Sequence, residues 1–342
     1  MKYLTILISV ILFLWSCDKS ETPYYTKAGC TDSLAFNYDP NAIIEDSCCY
    51  IAGCVNPLAI NFNSEACHDD GSCILTNPPI FDTIQKILIE DFTGHKCMYC
   101  PDAADILEGI ISTHPNQVVG MAIHGDYNFS KPNPTGAKDF TYDFRTIWGK
   151  GIDDFFGASA LGLPKGMINR IDYAGGGSHL KERGSWETYV GDILGDIPKF
   201  GINIQIVENK IVVSAKVFTP ITNHYNIVVC LTEDNITEWQ KVLNVNDSLY
   251  KHKHVLRSVL TSSWSGEALK SDQSYEEDEI ISKVYNFNLA DLEQDNINTS
   301  YTLDDGNGNA GGWKDFDMNV VAYIYNTSNW QIEQVEEVPL AP

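Results

Sequence analysis

Apolar positions follow three different patterns along the 342 residues. From residue 28 to 75 they are scattered, and no run is long enough to build a core. From about residue 84 solid apolar runs alternate with helical spacing. KILIEDFTG and QVVGMAIHGD read as strands, and the run Val118 to Ile123 is too apolar to be half exposed. CPDAADILEGIISTHP, YDFRTIWGKGIDDFF and GSWETYVGDILG read as helices, and LGLPKGMINRID as a proline turn entering a strand. That order predicts an α/β layer. From Pro198 onward INIQIV, IVVSAKVF, YNIVVCL, DEIISKVYNFNL, NVVAYIYN and WQIEQVEEV are short strand patterns separated by turn residues, with no strong helix among them. A β-sandwich is the architecture they predict.

The N-terminus changes the picture of where the chain works. Lys2 precedes an apolar run, Tyr3 to Trp15, that is too short to span a bilayer, and the run ends in Leu14-Trp15-Ser16-Cys17. This ending resembles the lipobox of bacterial lipoproteins, although Trp15 stands where a smaller residue is usual. The resemblance implies a signal peptide over 1–16, lipid on Cys17 and a tether over 17–27 that holds the protein on a membrane without crossing it. The alternative is an ordinary signal peptide with a chance cysteine. A formal charge of -23, spread along the chain, argues against nucleic acid as a partner.

Export permits disulfides. Six of the ten cysteines lie in two copies of one frame, AGCTDSLAFNYDPNAIIEDSCCY (28–50) and AGCVNPLAINFNSEACHDDGSCIL (52–75), at a period of 24 residues. Each copy is too small for a core, so a bridge across it would supply the stability. The frame pairs Cys30 with Cys48 and Cys54 with Cys73, and leaves Cys49 and Cys67 to join the copies. Asp69 and Asp70 beside Gly71 hint at calcium, but the spacing is not that of an EF-hand loop, and a spacer is the plainer reading.

Cys97 and Cys100, in FTGHKCMYCP, admit three readings. Zinc needs two further ligands of the right spacing, and neither a second C-x-x-C nor an H-x-x-x-H is present in the domain. A structural bridge this short restrains the unfolded chain little. The motif follows a strand and opens a helix, which would put Cys97 at a helix N-terminus, where the dipole, with Lys96 beside it, favours a thiolate; Cys100 lies one turn deeper as the resolving thiol. A Cys97–Cys100 disulfide that exchanges with partners is the reading preferred here.

KILIEDFTGHKCMYC resembles the strand–motif–helix of the thioredoxin superfamily, over roughly residues 84 to 195. The resemblance implies that Asp91 is the buried carboxylate relaying protons to Cys100, that Leu163-Pro164 is the cis-proline turn facing the cysteines, and that Leu163, Met98 and Tyr99 meet the substrate. Met98-Tyr99 and Pro101 depart from the usual pattern. The lipobox, EDFTGHKCMYCP, VVGMAIH, GLPKGMIN and YKHKHVLRSVL together resemble a Bacteroidetes outer-membrane lipoprotein family named for a 28-kDa protein, in which a thioredoxin-like domain precedes a β-sandwich. The expected organisation is therefore repeats over 28–75, a thioredoxin-like domain over 80–197 and a β-sandwich over 198–342. The expected function is thiol–disulfide exchange at the outer membrane with a protein partner, without metal or cofactor. The alternative is a non-enzymatic surface binding or adhesion protein in which the pair is a structural bridge.

Other residues have plainer readings beside functional ones. His95 could tune Cys97; His124 could influence the thiols or simply end its strand. His252, His254 and Arg257 in YKHKHVLR could form a ligand or anion site, but no aspartate or cysteine partner is evident and a packing or inter-domain contact is preferred. Cys230 reads as a buried, inert thiol. DDGNGNAGGWKD reads as a flexible turn.

Overall fold

A computed structural model describes residues 27–56, 59, 62–73, 78–125, 128–176 and 178–341. The expected signal peptide, Cys17 and most of the tether lie outside the described residues. The chain divides into two compact units, Met1–Leu75 and Thr76–Pro342.

In the first unit the sequence repeat is a structural one. Asp39 N–H donates to the Cys30 carbonyl and, 24 residues on, Asn63 N–H donates to the Cys54 carbonyl, both at 2.9 Å. Two-residue strands pair in parallel in each copy, Ala28–Gly29 with Ile44–Glu45 and Ala52–Gly53 with His68–Asp69. The disulfides are Cys30–Cys48, Cys54–Cys73 and, between the copies, Cys49–Cys67, the pairing expected from the frame. Asp69 and Asp70 each use a carboxylate oxygen to cap a local turn, accepting from Gly71 and Ser72 N–H groups.

The second unit is built on β1 (Ile87–Thr93), α1 (Cys100–Thr113), β2 (Val118–His124), α2 (Ile147–Phe156), β3 (Lys165–Ile168) and α3 (Trp186–Ile193), followed by β4 (Phe200–Val207), β5 (Lys210–Val217), β6 (Tyr225–Glu233), β7 (Gln240–Val242), β8 (Val245–Asp247), β9 (Val255–Val259), β10 (Ile280–Asn286), α4 (Leu289–Ser300), β11 (Met318–Asn326) and β12 (Ile332–Pro339). Eight strands form one mixed sheet, ordered β12-β11-β6-β9-β2-β1-β3, with Glu267–Ala268 added beside β6. β1 and β2 run parallel, and β3 runs antiparallel to β1. The step that joins the two halves of the sequence is parallel β9 on β2, with Val255 opposite Ala122. No division between compact bodies therefore falls at the expected boundary near residue 197, because backbone hydrogen bonding runs through it.

The faces of this sheet follow the period-two rule. Ile87, Ile89 and Val118 point to one side, where Ala103, Leu107 and Ile110 of α1 and Trp186 and Val190 of α3 cover them. Leu88, Phe92, Met121 and Ile123 point to the other, against Ile152 of α2. The β-rich half is a sandwich in part: the three-stranded sheet β10-β5-β4 packs its Val213, Ala215 and Val217 against Ile227, Val229 and Ile324 of the large sheet.

Helix α4 departs from the expectation of strands alone. Its fully buried residues are polar, Asn296 and Ser300, and Leu289 and Leu292 pack only partly on the core, so its apolar periodicity is weak. Its sequence signal is the cap: the Asn288 side chain accepts from Ala290 N–H. The DDGNGNAGG loop is also not loose. Asn307 donates to the Asn133 and Thr141 carbonyls at 2.9 and 2.7 Å, and Lys131 pairs with Asp304.

Candidate functional site

The same alternation that buries β1 also places its carboxyl. Asp91 shares the α1-facing side of the strand with Ile87 and Ile89, and its register partner across the sheet is Ala122. Asp91, Cys100, Ala122, His124, Tyr250 and His252 line one partly open cavity of about 170 Å³. Asp91 Oδ1 is buried without a hydrogen-bond partner, and burial, countered in part by the charge of His254, pushes its pKa up to about 7.

Cys97 and Cys100 are disulfide-bonded. The helix begins at Cys100 rather than at Cys97, which lies in the turn before it. Pro101, lacking an N–H, suits only the first helical turn and so sets this start. The dipole argument for Cys97 is correspondingly weaker than the sequence suggested. The turn is closed by Cys97 N–H on the Gly94 carbonyl at 2.9 Å, and Lys96 N–H reaches the Phe129 carbonyl at 2.9 Å. Gly94 is required there, since a β-carbon would stand 2.6 Å from the Phe129 oxygen.

The Leu163–Pro164 peptide bond is cis. Antiparallel pairing of Phe92 with Lys165 brings this turn to the end of β1 where the motif loop starts. Tyr99 is exposed with Arg183 over its ring, Met98 and Leu163 are half-buried, and Pro164 is buried.

Both cysteines are covered: Cys97 is 3% exposed and Cys100 1%. The cover is β7. Lys241 N–H donates to the His95 carbonyl at 2.8 Å and Leu243 N–H to the Met98 carbonyl at 3.1 Å. The Gln240 side-chain amide donates to the Cys97 carbonyl at 3.0 Å and reaches the Gly94 carbonyl at 3.4 Å. Nothing in the composition of QKVLNVND marks it for this place; each strand is three residues long, two of them polar.

The histidines sort differently from one another. His95 lies with Nε2 3.1 Å from the Lys131 carbonyl, and burial holds its pKa down to about 3. His124 stacks on Phe144 at 4.7 Å, and burial, with nearby His252, keeps it neutral with both ring nitrogens unpartnered. His252 is likewise held down to about 3 by burial. His254 is the exception: burial opposes its charge, yet the hydrogen bond to Glu108 and the charges of Asp234 and Glu337 raise its pKa. The sequence suggested packing or a contact between the two expected domains for His252 and His254. His254 makes such a contact, to Glu108 of α1, and both histidines line the Asp91 cavity, where His124 is the second partner invisible in the local sequence. Arg257 is elsewhere, bonded to Tyr142 and the Ala310 carbonyl and 3.2 Å from Glu233.

Asp91, His124 and His252 do not form a ready metal site. Among the described residues the one group of three candidate ligands within 4.8 Å of one another is Cys30, Glu45 and Cys48, and its two sulfurs are bonded to each other. Cys230 is buried and its pKa raised by burial, as befits an inert thiol. Among the described residues no helix is long and apolar enough to cross a membrane.

With this geometry in hand, likeness to known proteins falls into place. Residues 152–303 match the family model described as outer membrane protein Omp28, a span that includes the cis-proline turn and YKHKHVLR but not the cysteine motif. Among solved structures the chain is similar to HBP35 of Porphyromonas gingivalis, with a TM-score of 0.52 and 16% identity over 76% of each chain. It also matches a protein from Agrobacterium tumefaciens (TM-score 0.45, 14% identity, 75% of this chain and 95% of that one). A third match is a domain of the outer membrane lipoprotein Omp28 from Porphyromonas gingivalis (TM-score 0.23, 16% identity, 42% of this chain and 88% of that one). The likeness to HBP35 is one of fold. No curated protein matches the chain.

Proposed function

We propose that the protein is an outer-membrane lipoprotein of the Omp28 kind, anchored through Cys17, whose thioredoxin-like core exchanges thiols and disulfides through Cys97 and Cys100. The observation that carries this reading is Asp91, a buried carboxyl without a partner on the cavity that Cys100 also lines. Burying such a group costs stability. A purely structural bridge gains nothing from it, whereas a thiol that must lose a proton does. A value near 7 suits a group that takes a proton and returns it.

In the reduced protein, the Cys97 thiolate attacks one sulfur of a partner disulfide, and the partner's other sulfur leaves as a thiolate. Cys100 then gives its proton to Asp91 and attacks the Cys97 sulfur. The Cys97–Cys100 bond re-forms, the second partner thiolate leaves, and two electrons have passed to the partner. The disulfide form runs the same steps in reverse with a partner dithiol. Leu163-Pro164, beside the motif loop, would orient the partner chain, with Met98 and Tyr99 at its edge.

One observation favours a second reading. With exposures of 3% and 1%, the sulfurs are as hidden as those of a structural bridge, which would suit a surface binding or adhesion protein that keeps a redox fold. The reduction potential of the pair separates the two. A mass-tagged alkylation series across glutathione ratios giving about -120 to -270 mV supports exchange, and one below about -300 mV supports the bridge. A Cys97→Ser variant that retained full activity in a disulfide-reduction assay would also defeat the exchange reading.

A further inference from the structure

Strands β6 and β9 are neighbours in the large sheet, and Glu233 pairs directly with Val255. The twenty or so residues between them are not needed for that pairing. They leave the sheet as an arm: Ile236 pairs with His252 and Thr237 with Lys251, and further out β7 and β8 pair from Gln240 opposite Asp247 to Val242 opposite Val245. The arm then lies across the cysteine motif. Its contacts there are few: the N–H groups of Lys241 and Leu243 and the amide of Gln240. Its tip is largely in solvent, with Leu243, Val245 and Leu249 all exposed. Leu243 has a φ of 50°, a left-handed conformation that an L-residue adopts at a cost. The base of the arm is anchored by buried Ile236 and His252, but its outer part, held to the motif by few bonds, with Leu243, Val245 and Leu249 in water and its turn strained, belongs to the parts of a protein that open at low free energy.

Resting on the exchange reading above, the geometry points to the outer arm, residues 240–249, as an autoinhibitory cover: it shields the Cys97–Cys100 disulfide until it swings off the motif loop. Pairing of its backbone N–H groups with the His95 and Met98 carbonyls occupies hydrogen-bonding positions on the loop, so a partner chain and the arm cannot both use them. Because Gln240 belongs to this outer arm and also walls the Asp91 cavity, the movement uncovers the sulfurs and the carboxyl together. The covered state thus protects a disulfide in an exported protein from chance thiols. The uncovered state makes the whole exchange site available in one movement.

The test weakens the arm's hold without touching the sulfurs or Asp91. Lys241→Pro removes the N–H that meets the His95 carbonyl, and Gln240→Ala, a milder change that leaves the backbone intact, removes the amide on the Cys97 carbonyl. Reduction of each disulfide by tris(carboxyethyl)phosphine is followed by mass-tagged alkylation in the full chain, with the three repeat disulfides as internal reference. Each variant is expected to reduce Cys97–Cys100 about tenfold faster than wild type, the effect of losing one well-formed hydrogen bond, with the repeat disulfides unchanged. A wild-type rate in the folded Gln240→Ala protein, or equal acceleration of all four disulfides, overturns the cover. Turnover of insulin as a disulfide substrate separates the two claims. A variant that opens faster but still fails to reduce insulin keeps the cover and removes the exchange reading.

Discussion

His254 reaches Glu108 across the wall of the cavity, with Nε2 2.9 Å from Oε1. This contact ties the end of the arm to helix α1, and neighbouring Lys253 makes a second bridge to the same carboxylate at 2.5 Å. The pairing has a pH signature. The hydrogen bond to His254 holds Glu108 down to about 2, so its contribution is present above the ordinary value of 4.5 and is lost as pH falls toward 2. The pKa of His254 is raised above 6.5, so its contribution is complete below 6.5 and is lost as pH rises through the raised value. Glu108→Gln should therefore lower stability most between about pH 4.5 and 6.5, by about 1 kcal/mol after solvent screening. Thermal melts of both proteins from pH 3 to 9 would show the gap narrowing at each end; a gap independent of pH would contradict the assignment.

Asp91 should act in the opposite sense. Burial raises its pKa from 3.8 to about 7, so the folded protein keeps a proton that the unfolded chain has released. Its contribution is complete below about pH 3.8 and is lost as pH rises through about 7. Asp91→Asn cannot ionise, and it should exceed wild type in stability at pH 8 to 9 by on the order of 3 kcal/mol while matching it near pH 4. Urea titrations at the two pH values decide this. A variant less stable than wild type at high pH would mean that the carboxylate is solvated or paired.

Glu90, the neighbour of Asp91 on the opposite face of β1, is held by Arg170 at 2.7 and 2.5 Å, and Arg170 also donates to the Tyr323 hydroxyl of β11 at 2.9 Å. Arg170 and Glu90 are fully buried. Glu90→Gln leaves an unpaired buried cation and should cost about 3 to 5 kcal/mol, whereas replacing both partners by apolar residues should cost much less. Chemical unfolding of the single and double variants measures the difference, and equal losses would show that shape rather than charge matters at this point.

The link between the repeats is separable from the bridge within each. Replacing Cys49 and Cys67 together by serine should destabilise this small, coreless unit by about 3 kcal/mol and leave both intra-repeat disulfides formed. Limited proteolysis with mass mapping should show cleavage between the copies in the variant alone; an unchanged digest would show that backbone hydrogen bonds suffice to order the pair.

What could be read beforehand followed local physics. Strands β1 and β2 are largely apolar runs, α1 has helical spacing, and the cysteine pairing follows from a repeat whose hydrogen bonds recur with the same period. What escaped depends on partners distant in sequence. His124 and His252 meet only because β9 pairs with β2, and no pattern within either segment announces that. The arm escaped because three-residue strands, each with two polar residues, look like any exposed loop, and α4 because polar Asn296 and Ser300 interrupt its core-facing row. The cysteine motif was legible; the fact that it is covered was not.

The parallel step of β9 onto β2 has a consequence for any attempt to shorten the protein. Residues 80–197 alone would end their sheet at Val118–His124, every residue of which is buried in the whole chain. That strand would present unpaired N–H and C=O groups along an apolar margin, the arrangement that recruits other chains edge to edge. The β-rich half is in this sense the margin guard of the α/β half, and a fragment cut at the apparent sequence boundary should aggregate rather than fold as a free domain.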